Sequence, residues 1–377
     1  MTKQELRLEI IESLTNQGFS VNGHIVPSAS TKKHFQKIQQ HSRKEQILLQ
    51  KNFLIDNINT VKKYLINGID IEPEKIDLEL RLVEEGTEEN ILFRWWNLAW
   101  WSVPYQRAYG RQMRFLLWDK YHNAPFGLIG LQSPVLKMAV RDKYLNIPKD
   151  DLDYIINQSL QAQRLGALPP YNKLLGGKMV ALTVTSNEIR KEYQRKYKGS
   201  VTVLEKRQID SNLLFVTTTS AFGRSSIYNR LKYNGENVAE SLGYTKGSGT
   251  FHISEELYSK IIKFLKRRGV DINTTFGYGP SRKVKLIDKA FSLLGLSEYH
   301  YHNVQREFFI FPIAKNIDNV ISKGVRPVSY NRPLTQLAEY WKERWAIPRS
   351  LRQEDWKAFD GNKFITATKR NISRWSN

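Results

Sequence analysis

The stretch "RQMRFLLWDKYHNAPFGLIGLQS", residues 111–133, constrains the fold of this chain more than any other. Two apolar runs flank the polar, turn-prone "KYHNAP", which predicts a β-hairpin. A hairpin this apolar must sit in a larger sheet, and the following residues alternate helix and strand signals. "DLDYIINQSLQAQRL" reads as a helix with an acidic first turn that ends at Gly166. A second helix runs from about Leu174 through "SNEIRKEYQRKYKG", with a break near Ser186 and Asn187. "SVTVLEK" and "NLLFVTTTS" read as strands, "GRSSIYNRLKY" as a helix capped by Ser225 or Ser226, and "SLGYTKGSGTFHI" as a glycine-interrupted strand. Residues 105–253 therefore predict an α/β core.

Helical spacing dominates on either side. Residues 1 to about 90 carry it in "ELRLEIIESL" and "ILLQKNFLIDNINTVKKYL", and residues 254–299 carry it again before the aromatic strand "REFFIFPI" and a basic tail. Three regions follow: a helical one over 1–90, the α/β core over 91–253, and a basic helical and strand region over 254–377. No internal repeat is visible. With 58 Lys+Arg against 37 Asp+Glu, the formal charge is +21, well beyond what solubility requires, and a polyanion is the expected partner. The chain contains no cysteine, which excludes disulfides, thiolate zinc sites and a cysteine nucleophile. No apolar run reaches the roughly 18 residues of a membrane span, and "MTKQELRLEI" lacks a signal-peptide core, so a cytoplasmic location is expected.

Two motifs carry candidate chemistry. In "PYNKLLGGK", residues 170–178, Asn172 stands where a Walker A loop has its first glycine and Met179 where it has its hydroxyl residue, which removes a triphosphate loop. Small residues at a helix start still leave backbone N–H groups open to an anion. Tyr171, Asn172, Lys173, Gly176, Gly177 and Lys178 are the candidate cofactor-binding set; the alternative is that the glycines allow close helix packing. In "TTTSAFGRSSIYNRL", hydroxyl groups gather at a strand-to-helix junction. Tyr228 is a candidate general acid, Ser225 and Ser226 candidate leaving-group ligands or caps, and Arg224 a candidate phosphate ligand.

Arg141 with Asp142 reads as a structural ion pair; His252, His300 and His302 suggest a metal, but His300 with His302 lack a third ligand. The candidate carboxylates Asp119, Asp142 and Glu205 are scattered. Lysine and arginine mixed with aromatic residues point to phosphate contact and base stacking, with Arg111, Arg224, Arg230, Arg267, Arg268, Arg282, Lys283, Arg344, Arg349 and Arg352 as candidates. Tyr340, Trp341, Trp345 and Trp356 read better as a small core fastening the tail.

The blocks "SVPYQRAYGRQMRFLLWD", "GLIGLQSPVLKMAVRDKYL", "PYNKLLGGKMVAL", "TTTSAFGRSSIYNRL", "SLGYTKGSGTFHI", "FGYGPSRKVKLIDKAF" and "YWKERWAIPRSLR" resemble, in order, those of the DruA family of the Druantia anti-phage defence systems. The resemblance spans roughly residues 93–352 and implies antiviral defence alongside other defence proteins. The order of hairpin, "PYNKLLGGK", strands, "SSIYNRL" and "SLGYTKGSG" is also similar to acyltransferases of the GNAT type, including the adenine-modifying phage Mom enzymes. That likeness implies a GNAT-like mixed-sheet core in which Gly176, Gly177 and Lys178 hold the phosphate of an acyl-CoA-like donor. Ser226, Tyr228 and Asn229 would then face the reacting centre. Lys173 and Lys178 depart from the first and last positions of the GNAT pattern R/Q-x-x-G-x-G/A, and a lysine at 178 crowds coenzyme A. Three functions follow as expectations: a GNAT-like enzyme modifying a base in DNA or RNA, a non-catalytic DNA-recognition subunit, and a metal-dependent nuclease or DNA-rearranging enzyme.

Overall fold

A computed structural model describes residues 1–104, 108–202, 206–273 and 281–376. One seven-stranded sheet organises them, making the chain a mixed α/β protein. Its strands are β1 (Leu78–Leu82), β2 (Gln112–Asp119), β3 (Ala124–Gln132), β4 (Ser159–Ala167), β5 (Phe215–Thr219), β6 (Glu240–Tyr244) and β7 (Glu307–Pro312), ordered β1-β2-β3-β4-β5-β7-β6. Neighbouring strands run antiparallel except β4 and β5, which are parallel.

The hairpin forms as predicted, paired from Gln112↔Gln132 to Asp119↔Ala124, and Asn123 takes a left-handed φ of 49° in the turn. β3 is buried along its whole length, which explains its nearly unbroken apolar sequence between two strand neighbours.

β4 corrects the sequence reading. In "DLDYIINQSLQAQRL" the α-helix is confined to Leu152–Ile156, and from Ser159 onward the segment is strand. Gln161, Gln163 and Arg164 have good helix propensity, but between β3 and β5 the backbone finds ladder partners on both sides, and Leu160 and Ala162 enter the core. β1 emerges from the acidic stretch, where Leu78, Leu80 and Leu82 alternate with Glu79 and Arg81. Of "SVTVLEK", residues 203–205 lie outside the described residues, and Val201 makes an isolated bridge to Gln208.

Helices α1 (Lys3–Gln17), α2 (Lys32–Leu49), α3 (Glu88–Ala99), α4 (Gly176–Thr183), α5 (Asn187–Tyr197), α6 (Glu255–Arg267), α7 (Arg282–Leu294), α8 (Leu334–Trp341) and α9 (Gly361–Ser376) complete the frame used below. On one sheet face, Val180 of α4, Ile189 of α5 and Trp341 of α8 share a core with Phe115 and Phe126. On the other, Trp95 and Trp96 of α3 and Ile365 of α9 pack with Leu116, Trp118 and Leu128. The first helix ends at Thr183 and Ser186 caps the next, its Oγ accepting from the Ile189 N–H at 3.3 Å, which is the break expected there. Trp341 and Trp356 are buried in the main core and fasten the tail to the body.

A separate core joins α1 to α6 and α7 through Leu6, Ile10, Ile261, Leu265, Ile287 and Phe291. Residues from the first and last sequence regions thus fold into one lobe.

Candidate functional site

Parallel pairing of β4 with β5 ends at Ala162↔Thr218, yet β4 continues along β3 to Ala167. Past that point β4 lacks its β5 partner, and a cleft of about 540 Å³ opens. The carboxyl ends of parallel strands are where open sheets take ligands. Residues 163–167 and 218–222 line the cleft together with the start of α4, the "GRSSIY" turn, and Trp100 and Trp101. "PYNKLLGGK" and "GRSSIY" therefore meet at one cavity, although Arg224 stands 46 positions after Lys178 in sequence.

Six cationic side chains line it, from Lys32, Arg164, Lys178, Arg224, Arg230 and Arg306, and among the described residues no aspartate or glutamate does. Helix α4 opens after Leu175, whose φ is 59°, without a side-chain cap, and the Lys178 N–H in its first turn donates to the Leu175 carbonyl at 2.9 Å. The glycines serve both readings. A Cβ on Gly176 would stand 2.6 Å from the Tyr171 carbonyl and 2.8 Å from Ala167 Cβ, which makes Gly176 a packing residue. Gly177 lines the cleft, and a Cβ there would meet Ile227 at 3.1 Å.

Lys178 donates from Nζ to the Arg230 carbonyl at 3.1 Å and lies 4.7 Å over the Trp345 ring. Burial lowers its pKa first, and the nearby Arg230 and Arg344 charges lower it further. Asn172 lines the cleft with a buried Oδ1 that has no hydrogen-bond partner among the described residues. Tyr171 is fully buried, its hydroxyl donating to Asp119 Oδ2 at 2.9 Å, and Lys173 pairs with Asp355 at 3.1 Å; neither lines the cleft.

The "GRSSIYNRLKY" helix is a second correction. The segment makes only a 3-10 turn, Tyr228–Arg230, followed by a small ribbon pairing Lys232–Tyr233 with Glu236–Asn237. Its backbone is captured by Glu307, the first residue of β7. Glu307 Oε2 accepts from the Ser225 N–H at 2.9 Å and from Asn229 Nδ2 at 2.8 Å, while Oε1 accepts from Ser241 Oγ at 2.8 Å. Ser225 Oγ in turn accepts from the Tyr228 N–H at 3.3 Å. Ser225 and Asn229 thus hold the turn in shape. Ser226, Arg224 and Arg230 are exposed and line the cleft. Tyr228 packs edge-on against Phe309 and Phe311, and burial pushes its phenol far above the usual range, so it can donate a hydrogen bond but cannot act as a base near neutral pH.

Sequence reasoning missed several contributors. Arg306 lines the cleft, and burial pushes its guanidinium down to about 10, which leaves it charged at neutral pH. Arg164 donates from Nε to Asn97 Oδ1 at 2.8 Å. The signal for Arg306 and Glu307 was a charged pair heading the apolar "FFIFPI". Trp100 and Trp101 were visible only as part of a tryptophan cluster.

The remaining basic candidates are dispersed. Arg111 is engaged internally with Asn157 and Tyr193. Arg267 and Arg268 end α6, and Arg282 and Lys283 open α7, all on the separate lobe, with Lys283 paired to Glu255 at 2.7 Å. Arg344 lies near Lys178, Arg349 donates to the Lys173 carbonyl at 3.2 Å, and Arg352 is exposed. His252 and His302 are buried, and desolvation pushes His252 down to about 4 and His302 well below its usual value. His300 pairs with Asp288 at 2.8 Å. Asp119 is enclosed by His122 and Tyr171, Asp142 pairs with the buried Arg141, and Glu205 lies outside the described residues. No group of three or more histidines and carboxylates able to hold a metal occurs among the described residues.

A family model described as "Druantia protein DruA" matches residues 29–323. The chain belongs to the DruA family. It is 32% identical over 376 residues to the Druantia protein DruA of Escherichia coli (strain UMEA 4076-1), an alignment covering 97% of this chain and 93% of that protein. DruA membership, expected from the ordered blocks, connects the chain to Druantia anti-phage defence. The matched region holds the whole cleft lining. No solved structure matches the chain. No described helix is long and apolar enough to cross a membrane.

Proposed function

We propose that this DruA-family chain is the nucleic-acid-binding component of its defence system, with the cleft at the end of β4 and β5 gripping phosphate-bearing ligand. One observation carries the reading: among the described residues, six cationic side chains and no carboxylate line a single cleft in a chain of net charge +21. A cationic cleft attracts phosphate, with counterion release as the driving term. DNA is the proposed partner, RNA offers the same backbone chemistry, and other defence proteins act on the complex in the cytoplasm. Anisotropy titrations of labelled DNA at several salt concentrations test this. Arg224→Glu combined with Arg230→Glu should weaken binding and flatten the salt slope by about two. Wild-type protein with no salt-dependent affinity for DNA or RNA would defeat the reading.

A second reading, a GNAT-like transferase acting on a nucleic-acid base, is favoured by the uncapped start of α4 opening on the same cleft as Ser226 and Tyr228. In it, an acyl-CoA-like or other phosphate-bearing donor sits against Gly177 and Lys178, and Tyr228 donates a hydrogen bond at the reacting centre. Tyr228→Phe should then abolish phage protection without changing DNA affinity, and nucleoside mass spectrometry of treated DNA should reveal an added group. Unmodified nucleosides together with protection by the Phe variant would leave the binding function standing alone.

A further inference from the structure

The tryptophans of "WWNLAWW" divide into two kinds. Trp95 and Trp96 are at most 2% exposed and build the core beneath the sheet, whereas Trp100 and Trp101 are half-buried and line the cationic cleft. Their ring centroids lie 5.8 Å apart at a 59° tilt. Trp101 rests directly on β4 at Gly166, where a Cβ would stand 2.7 Å from its ring, and Trp100 is 3.8 Å from the same point. A glycine is therefore required to seat the indole against the strand. An indole that is seated and partly open, in a cleft lined by no carboxylate among the described residues, is a stacking surface for a flat, electron-poor ring attached to an anion.

The size of the cleft narrows the ligand further. About 540 Å³ encloses one small molecule and excludes an intact duplex. The start of α4 is tight: Gly177 faces Ile227 closely, and Lys178 is tied to the Arg230 carbonyl and laid over Trp345. Arg224, Arg230 and Arg306 supply positive charge along the same walls.

We propose that the cleft takes a single unpaired nucleotide of a nucleic-acid strand, with its base against Trp101 and Trp100 and its phosphate met by the cleft arginines. This rests on the nucleic-acid-binding reading and specifies which part of the polymer enters. A paired nucleotide must leave its stack to do so, which costs least at a mismatch, an end or a single strand.

The test uses the full chain with fluorescently labelled single-stranded DNA, single-stranded RNA, a perfect duplex, and a duplex with one mismatch, at a fixed salt concentration. Wild-type protein should bind the mismatched duplex more tightly than the perfect one. Trp101→Ala should lose about tenfold or more in affinity for single strands and for the mismatched duplex, with perfect-duplex affinity and salt slope unchanged. Trp101→Phe retains a stacking face on Gly166 and should recover most of the loss, which separates stacking from misfolding. The strand type that shows the tryptophan-dependent difference identifies DNA or RNA as the source. Equal losses on all four ligands, no loss on any, or displacement of the single strand by free coenzyme A would overturn the proposal while leaving salt-dependent polyanion binding intact. Absence of any salt-dependent binding would remove the underlying reading instead.

Discussion

Asp119 and Glu307 are two buried carboxylates at strand ends of the same sheet, and each gathers at least three hydrogen bonds. Asp119, the last residue of β2, accepts from His122 Nδ1 at 2.6 Å, the Tyr171 hydroxyl at 2.9 Å and the Asp77 N–H at 3.2 Å. The Glu72 N–H donates to His122 Nε2 at 2.9 Å, which places the ring proton on Nδ1 facing Asp119. Its donors belong to the end of the hairpin, to the turn ahead of α4 and to the residue before β1. The donors to Glu307 belong instead to the cleft wall and to β6. A buried carboxylate is thus read by what its donors are attached to: Asp119 with His122 has the composition of a catalytic pair but every nitrogen is taken by structure, whereas Glu307 sets the shape of the turn that carries Arg224, Ser226 and Tyr228.

The largest effect that could break this contrast is Asp119→Ala. It leaves a buried phenol and imidazole N–H without an acceptor and should cost about 3–5 kcal/mol in urea unfolding. The affinity of the protein that remains folded for single-stranded DNA should be unchanged. A selective loss of affinity would give Asp119 a part in the cleft.

A buried titratable group hydrogen-bonded to neither carboxylate, His252, which pairs with the Tyr299 carbonyl, provides a control. His252 falls from an unfolded value near 6.5 to about 4 in the fold, so the unfolded chain binds the extra proton first. Its contribution to stability is complete above about pH 6.5 and is lost as the pH falls toward 4, on the order of 3 kcal/mol in all. Urea midpoints across that window should decline for the wild type and less steeply for His252→Leu. Parallel slopes would show that another group governs the acid side.

Glu307→Gln replaces an acceptor with an amide that cannot serve all three donors, for an expected cost of about 2 kcal/mol. Unlike Asp119→Ala, it should also weaken single-strand binding several-fold by releasing the turn. If affinity stays at the wild-type value, Glu307 is a structural carboxylate of the same kind as Asp119.

The smallest effect is expected from Lys173→Ala. The Lys173–Asp355 pair is about half exposed, and Arg349 also reaches Asp355 at 3.5 Å, so unfolding free energy should change by less than about 1 kcal/mol. Binding should not change, because Lys173 does not line the cleft. A marked loss of binding would return "PYNKLLGGK" as a whole to the site.

Local signals made much of the frame legible. The hairpin, α5 with its Ser186 cap, β5, β7 and the helices of residues 254–299 follow from periodicity and capping chemistry that act within a few residues. The two main errors share a physical cause. "SLQAQRLGA" favours a helix until β3 and β5 offer ladders on both sides, and "GRSSIYN" favours one until Glu307, 78 residues beyond Asn229, takes its donors. Long-range partners overrode propensity in both.

The sequence alone determined that the chain is a strongly basic mixed α/β protein of the DruA family and that "PYNKLLGGK" and "GRSSIY" merit joint attention, because charge, periodicity and ordered blocks are properties of the string. Tertiary structure decided that both segments face one cleft, that Arg306, Trp100 and Trp101 join them, and that Ser225 and Asn229 are held by Glu307. Those facts depend on where two parallel strands stop pairing, and that is fixed only when residues far apart in the chain compete for the same backbone and carboxylate partners.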